Sequence, residues 1–321
     1  MFKTFDRMTI DSAGAFLQGE LERFDPTMNL PLTSQKWRRD IQLREDVSMA
    51  DEHSSFSLTT GAATGGINPN GKNWVGKVSN AIPGVSIEIG KSIFPLYPWG
   101  SELSYTIFEL LAAQQVGRPI DMQKMEFMKL KYEMDCDEQV YIGDSGYGVK
   151  GLINQASPGV SGNVANGAST HPDWARKTPA EILLDINTLL TAVWAKTGNA
   201  TCPDKLLITP TAMGVIVGQD MGISGYRSVL EWLKANSLCN QENGRPLDIQ
   251  SCKWCEAANS GLTYSRMVAY TNDKKYVRIP MVPMQRTPLE YRSLFQIFTY
   301  YAKIGVVEAV YPQTIGYADQ I

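Results

Sequence analysis

The chain has 321 residues, 43% hydrophobic and 20% charged, enough to bury a large core and to form two domains. Its net charge of −3 argues against a protein built chiefly to grip nucleic acid, which would carry a basic stripe. No apolar run reaches the roughly 18 residues of a bilayer span, and the opening MFKTFDRMTIDSAG lacks the apolar block of a secretion signal. The five cysteines are not spaced as a disulfide framework, which fits a reducing cytoplasm.

Residues 1–50 mix short helical stretches with breakers such as Asp25-Pro26. Trp37, Arg38, Arg39 and Arg44 form the dense basic cluster, interleaved with Asp40, Glu45 and Asp46. Mixed signs predict salt bridges with a neighbouring surface, so this segment reads as an arm laid on something else. Residues 51–84 carry few charges and much Gly, Ser, Thr and Asn, with a strong turn at Asn68-Pro69-Asn70-Gly71. Val85, Ile87 and Ile89 then alternate with Ser86 and Glu88, the pattern of a half-buried strand. The segment reads as a long two-stranded hairpin. An isolated hairpin is marginal in water, so this one needs a partner molecule to lie on.

Pro95, Pro98 and Gly100 punctuate the chain before a helix expected over 103–116, capped by Ser101. A long helix of about 119–142 follows. Pro119 suits its first turn, and Asp121 sits near the positive end of the dipole. Met122, Met125, Met128, Tyr132, Cys136 and Val140 share one face, and Phe127, Leu130, Met134 and Tyr141 make a second apolar row. Gly143 is the expected stop. At 1.5 Å per residue this spine is roughly 35 Å long.

Past residue 155 a Gly/Ser/Asn-rich loop suggests a domain boundary. Thr178-Pro179-Ala180-Glu181 is a helix start with a capping box, and Ile182, Leu183, Ile186, Leu189, Leu190 and Val193 form the buried face behind it. Strands at 205–209, 267–270 and 276–279, with a helix at 228–235, predict a mixed α/β unit. Residues 294–304 read as a strand apolar on both faces, lying beside the spine, and 306–311 as another strand.

Chemistry is sparse. Gly146-Tyr147-Gly148-Val149-Lys150-Gly151 has dinucleotide-loop spacing, yet follows a helix and leads into coil, so it reads as a turn. Cys252 and Cys255 form a CxxC pair with no second ligand pair, and buried thiols acting as small hydrophobes are the expectation. His171 stands in a loop without a nucleophile. Neither catalytic, cofactor-binding nor metal residues are expected.

The order of arm, hairpin, spine, α/β unit and returning strand resembles the major capsid proteins of tailed bacteriophages with the Hong Kong 97-like fold. Local text is similar as well: the run PWGSELSYTIFE at 98–109, GLIN at 151–154, KTPAEILLD at 177–185 and GVVEAVYP at 305–312. The resemblance implies an α+β chain divided into an N-terminal arm (1–50), an extended loop (51–95), a peripheral domain on the spine (96–154), an axial domain (155–290) and returning peripheral strands (291–321). It implies icosahedral self-assembly from hexamers and pentamers around double-stranded DNA, held non-specifically. The partners would be a portal protein and possible scaffold, protease or decoration proteins, with no membrane. Trp37, Arg38, Arg39, Arg44, Lys72, Trp74 and Lys77 are the candidate inter-subunit contacts. Loops at 218–226 and 239–246 are candidates for the symmetry axis, with Asp220, Met221 and Tyr226 foremost. Removing 1–50, or the hairpin tip 64–76, is expected to spare the fold and abolish shells. The competing readings are a bacterial nanocompartment shell around a cargo enzyme, and an enzyme or ligand-binding protein of small oligomeric size.

Overall fold

The computed structural model describes residues 31–64, 77, 84–116, 120–222 and 227–321. Its elements in chain order begin with α1 (Trp37–Asp40), β1 (Gln42–Arg44), the hairpin β2 (His53–Thr64) and β3 (Gly84–Pro95), β4 (Tyr97–Thr106), α2 (Ile107–Val116) and the spine α3 (Ile120–Tyr141). Next come β5 (Val160–Asn163), α4 (Pro179–Lys196), β6 (Lys205–Ile208), α5 (Pro210–Gly218), α6 (Val229–Asn236), α7 (Leu238–Asn243), β7 (Asp248–Ser251) and α8 (Ala257–Ser260). The chain closes with β8 (Arg266–Tyr270), β9 (Val277–Arg286), β10 (Glu290–Arg292), β11 (Phe295–Ile304), β12 (Glu308–Ala309) and β13 (Gly316–Asp319).

Two sheets share the spine. A six-stranded sheet runs β1-β9-β11-β10, with β4 on β11 and β12 on β9; a five-stranded sheet runs β5-β13-β8-β6-β7. Period-two alternation splits the five-stranded sheet between two cores. Leu207, Val268, Tyr270 and Tyr317 pack with Tyr132, Cys136 and Val140 of α3. Leu206, Ile208, Met267 and Ala269 pack with Ile182, Ile186, Leu190 and Val193 of α4. Each Leu, Ile, Val or Met side chain so buried stabilises the fold by about 1.5–3 kcal/mol.

Helix α4 starts as its sequence dictates. Thr178 N donates to Glu181 Oε2 at 2.8 Å and Glu181 N donates to Thr178 Oγ1 at 3.4 Å, with Pro179 in the first turn. The spine ends at a tight reversal. Gly143 has φ +79°, and the returning chain donates from Gly151 N to Ile142 O at 2.9 Å and from Leu152 N to Val140 O at 2.8 Å. These bonds satisfy carbonyls that the helix end would otherwise orphan.

Several expectations need correction. Residues 101–106 are strand paired with β11, and α2 begins at Ile107 under Thr106, whose backbone N and Oγ1 exchange hydrogen bonds with Glu109 at 3.1 Å each. The cap is therefore Thr106 and not Ser101. On α3 the first apolar row is buried from Met128 onward, through Tyr132, Cys136 and Val140, with Met122 exposed, whereas Phe127 and Met134 of the second row are exposed. Sheet membership also departs from the division made at residue 290. β9 belongs with β11 and β4, while β13, at the end of the chain, completes the five-stranded sheet. Residues 239–246 are not wholly loop, since α7 occupies 238–243 and Cys239 is buried.

Candidate assembly interface

The hairpin is the feature least served by its own chain. β2 and β3 pair without a break from His53↔Pro95 to Thr64↔Gly84, and among the described residues neither pairs with another strand. Twelve pairs at about 3.3 Å make a ribbon of about 36 Å. Val85, Ile87, Ile89 and Ile93 lie on one face of it and are 59–70% exposed, so the alternation is real but none of the described residues covers it.

The root of the ribbon is held tightly. Glu308, fully buried, accepts from Ser54 Oγ of β2, from Arg278 Nε of β9 at 2.7 Å and from Arg44 Nη1 at 3.3 Å. Arg44 Nη1 also reaches Ser54 Oγ at 2.8 Å and Ser55 O at 3.2 Å. Phe56 and Phe94 stack across the strands at 5.6 Å. One carboxylate thus ties β1, β2 and β9 together, and paired ions at a buried site fix geometry more than they add stability.

The arm residues go elsewhere than expected. Trp37, 1% exposed, sits in the core and donates from Nε1 to Glu133 Oε2 at 2.8 Å. Arg39 Nε binds Asp40 at 2.7 Å and its Nη1 binds Gln250 at 2.9 Å. Buried Asp40 also holds Lys205 Nζ at 3.1 Å and accepts from the Tyr141 hydroxyl. Burial, with the Asp40 charge beside it, pushes the Tyr141 phenol far up. Arg38 alone of the four stays exposed, paired with Glu133 at 2.6 Å and stacked on the Trp37 ring at 4.6 Å. Trp37, Arg39 and Arg44 are spent on contacts of the chain with itself. Removing residues 31–44 would therefore damage the fold rather than spare it.

Lys72, Trp74 and Tyr226 lie outside the described residues. Lys77 is exposed in a turn. Asp220 makes an isolated bridge to Ser228 and accepts from Gly222 N at 3.3 Å, while Met221, half-buried, packs against the α4 core. Cys252 and Cys255 are buried, and the Cys255 thiol is pushed well up by its hydrogen bond with Cys252 and by burial. Among the described residues no His, Cys, Asp or Glu group is placed to hold a metal. Glu308 was missed by sequence reading; its signal is a lone acid inside the apolar run VVEAVYP.

A second apolar face lies on α2 and α3, where Phe108, Leu111, Met122 and Phe127 are more than half exposed. A monomer that leaves a ribbon and a helical face uncovered exposes association surfaces. The arrangement of spine and two sheets is the fold of solved phage capsids, the Hong Kong 97-like fold. A family model described as major capsid protein matches residues 71–321, and the chain belongs to that family, a structural component of a virion.

Solved structures share the fold at low identity. The capsid of Myoviridae phage XM1 is 14% identical, with a TM-score of 0.75, covering 94% of this chain and 98% of its own. The capsid of a native GTA particle is 13% identical, with a TM-score of 0.58 and coverage of 96% and 98%. The holo-SrpI encapsulin complex from Synechococcus elongatus PCC 7942 is 12% identical, with a TM-score of 0.54 and coverage of 100% and 96%. No curated protein matches the chain.

Proposed function

We propose that many copies of this chain close into the icosahedral head of a tailed bacteriophage around double-stranded DNA, assembling in the host cytoplasm. The observation that carries the reading is the hairpin, a firmly rooted ribbon whose apolar row finds no cover among the described residues of its own chain. Its cover is a neighbouring subunit, and the exposed face of α2 and α3 is apolar in kind. Many weak contacts of this sort add through effective concentration, so none need be strong alone. Portal, scaffold, protease and decoration proteins are the further partners proposed, and DNA meets the mildly acidic shell non-specifically. The nanocompartment reading is less favoured, because the fold lies nearer the phage capsid than the encapsulin.

The test is light scattering after size-exclusion chromatography, with negative-stain microscopy of the heaviest fraction. Hollow particles, or rings of five and six, are expected. A monodisperse monomer or dimer at all concentrations, with purified phage scaffold present, counts against the reading. Nucleic acid inside particles from infected cells separates a genome shell from an enzyme compartment.

A further inference from the structure

Two pairs of buried thiols stand in contact, Cys252 with Cys255 and Cys202 with Cys239, and the shell reading uses neither. Cys202 leads into β6, and Cys239 lies in the first turn of α7. Asn243, at the end of α7, ties them together: its Nδ2 donates to Cys202 O at 3.0 Å and to Cys239 Sγ at 3.4 Å. The Cys202 thiol also donates to Cys239 Sγ. The hydrogen bond from Cys202, joined by that from Asn243, draws the Cys239 thiol below the ordinary cysteine range, and donation raises that of Cys202. A thiol eased toward its thiolate, beside one that keeps its proton, forms a pair of attacking and resolving cysteines.

Their cover is thin. α7 has six residues and ends at Gly244 in the left-handed conformation, and positions 241–246 are all exposed. Opening so short an element costs far less than global unfolding, and it would bring a small oxidant to Cys239. Cys255 is instead enclosed in the core under the spine, with Tyr141, Val268 and Tyr270.

We propose that Cys202 and Cys239 form a reversible disulfide when the chain meets a peroxide. The Cys239 thiolate attacks one oxygen of hydrogen peroxide, the O–O bond breaks, and the departing hydroxide takes up the Cys239 proton as water. The Cys202 sulfur then attacks the Cys239 sulfenic sulfur, the S–O bond breaks, and that hydroxide leaves with the Cys202 proton as a second water. Two thiols are oxidised and one peroxide is reduced. The bridge closes a loop that carries β6, α5, α6, Asp220 and Met221, and it fastens this part of the chain once a reducing cytoplasm is left behind. The inference rests on the fold and not on the shell reading, so the two fail separately.

The test treats the full-length chain with hydrogen peroxide at neutral pH below its melting temperature, blocks remaining thiols with N-ethylmaleimide, and maps peptides without reduction. Expected are peptides joined through Cys202 and Cys239 that dithiothreitol separates, with thermal unfolding of the oxidised chain raised by about 3–8 °C. Cys202→Ser should halt the reaction at a Cys239 sulfenic acid that dimedone traps, whereas Cys239→Ser should leave Cys202 a thiol. The parent's map decides the matter should either variant fail to fold. Recovery of both cysteines as thiols at a peroxide dose that turns the exposed Met122 into its sulfoxide overturns the inference. A bridge at Cys252–Cys255 alone does so too, as does an oxidised chain that melts no higher than the reduced one.

Discussion

Glu308 shows how one residue sets the posture of a whole segment. Its carboxylate is wholly enclosed, while the Arg44 and Arg278 side chains that meet it keep 19% and 21% of their surface in water. Breaking a fully enclosed pair costs about 3–5 kcal/mol, so with both guanidinium groups partly solvated Glu308→Gln should cost about 2–3 kcal/mol, read by urea denaturation. Gly151 faces a harder limit, since a Cβ there would stand 2.3 Å from Tyr141 C and O. The obstacle is helix-end backbone and not a flexible side chain, so Gly151→Ala should lose about 2–3 kcal/mol in the same assay. Glu181 supplies a pH signature. Backbone N–H groups of Thr178 and Ala168 hold its carboxyl below the ordinary glutamate range. A depressed folded pKa stabilises fully above the unfolded value of about 4.3, and the gain disappears as the pH falls through the lower folded value. The melting advantage of the parent over Glu181→Gln should therefore shrink as the pH drops below about 4.3.

At the scale of elements, α3 is two helices in one. From Met128 onward its first row fills the core, while Met122 of that row and Phe127 and Met134 of the second stay in water. Sequence periodicity cannot separate these halves, because the spacing is the same and only the cover differs. α1 is the opposite case: four residues with a basic look that close the core beneath them. Trp37→Ala should cost about 3–5 kcal/mol, the usual toll for an emptied indole site, and lower the midpoint of thermal unfolding in the isolated chain. Were Trp37 an inter-subunit contact instead, the isolated chain would melt unchanged. The hairpin root, by contrast, is held by charges and a Phe56–Phe94 stack, so its direction is set without any core of its own.

At the scale of the whole molecule, the fold separates self-sufficiency from association. Two cores on either side of the five-stranded sheet serve the chain itself. The ribbon and the α2–α3 face are what remains over. Ile87→Asp/Ile89→Asp should shift unfolding by less than about 0.5 kcal/mol, because both side chains are exposed in the single chain. The same variant should yield no closed particles under conditions where the parent forms them, as judged by microscopy. Normal particles from it would remove the ribbon from the assembly contacts.

The sequence by itself determined what local rules govern. The Thr178-Pro179-Ala180-Glu181 cap, the buried face of α4, the strand at Lys205–Ile208 and the stop at Gly143 depend on residues within a few positions of one another. The family resemblance was legible there too, carried by the order of segments. Only the tertiary structure decided which apolar rows are covered, where β13 and β9 pair, and that Trp37, Arg39 and Arg44 turn inward. Those outcomes depend on partners up to hundreds of residues away, as with Arg44 and Glu308, and a charged or aromatic residue reads the same locally whether it meets its own chain or another.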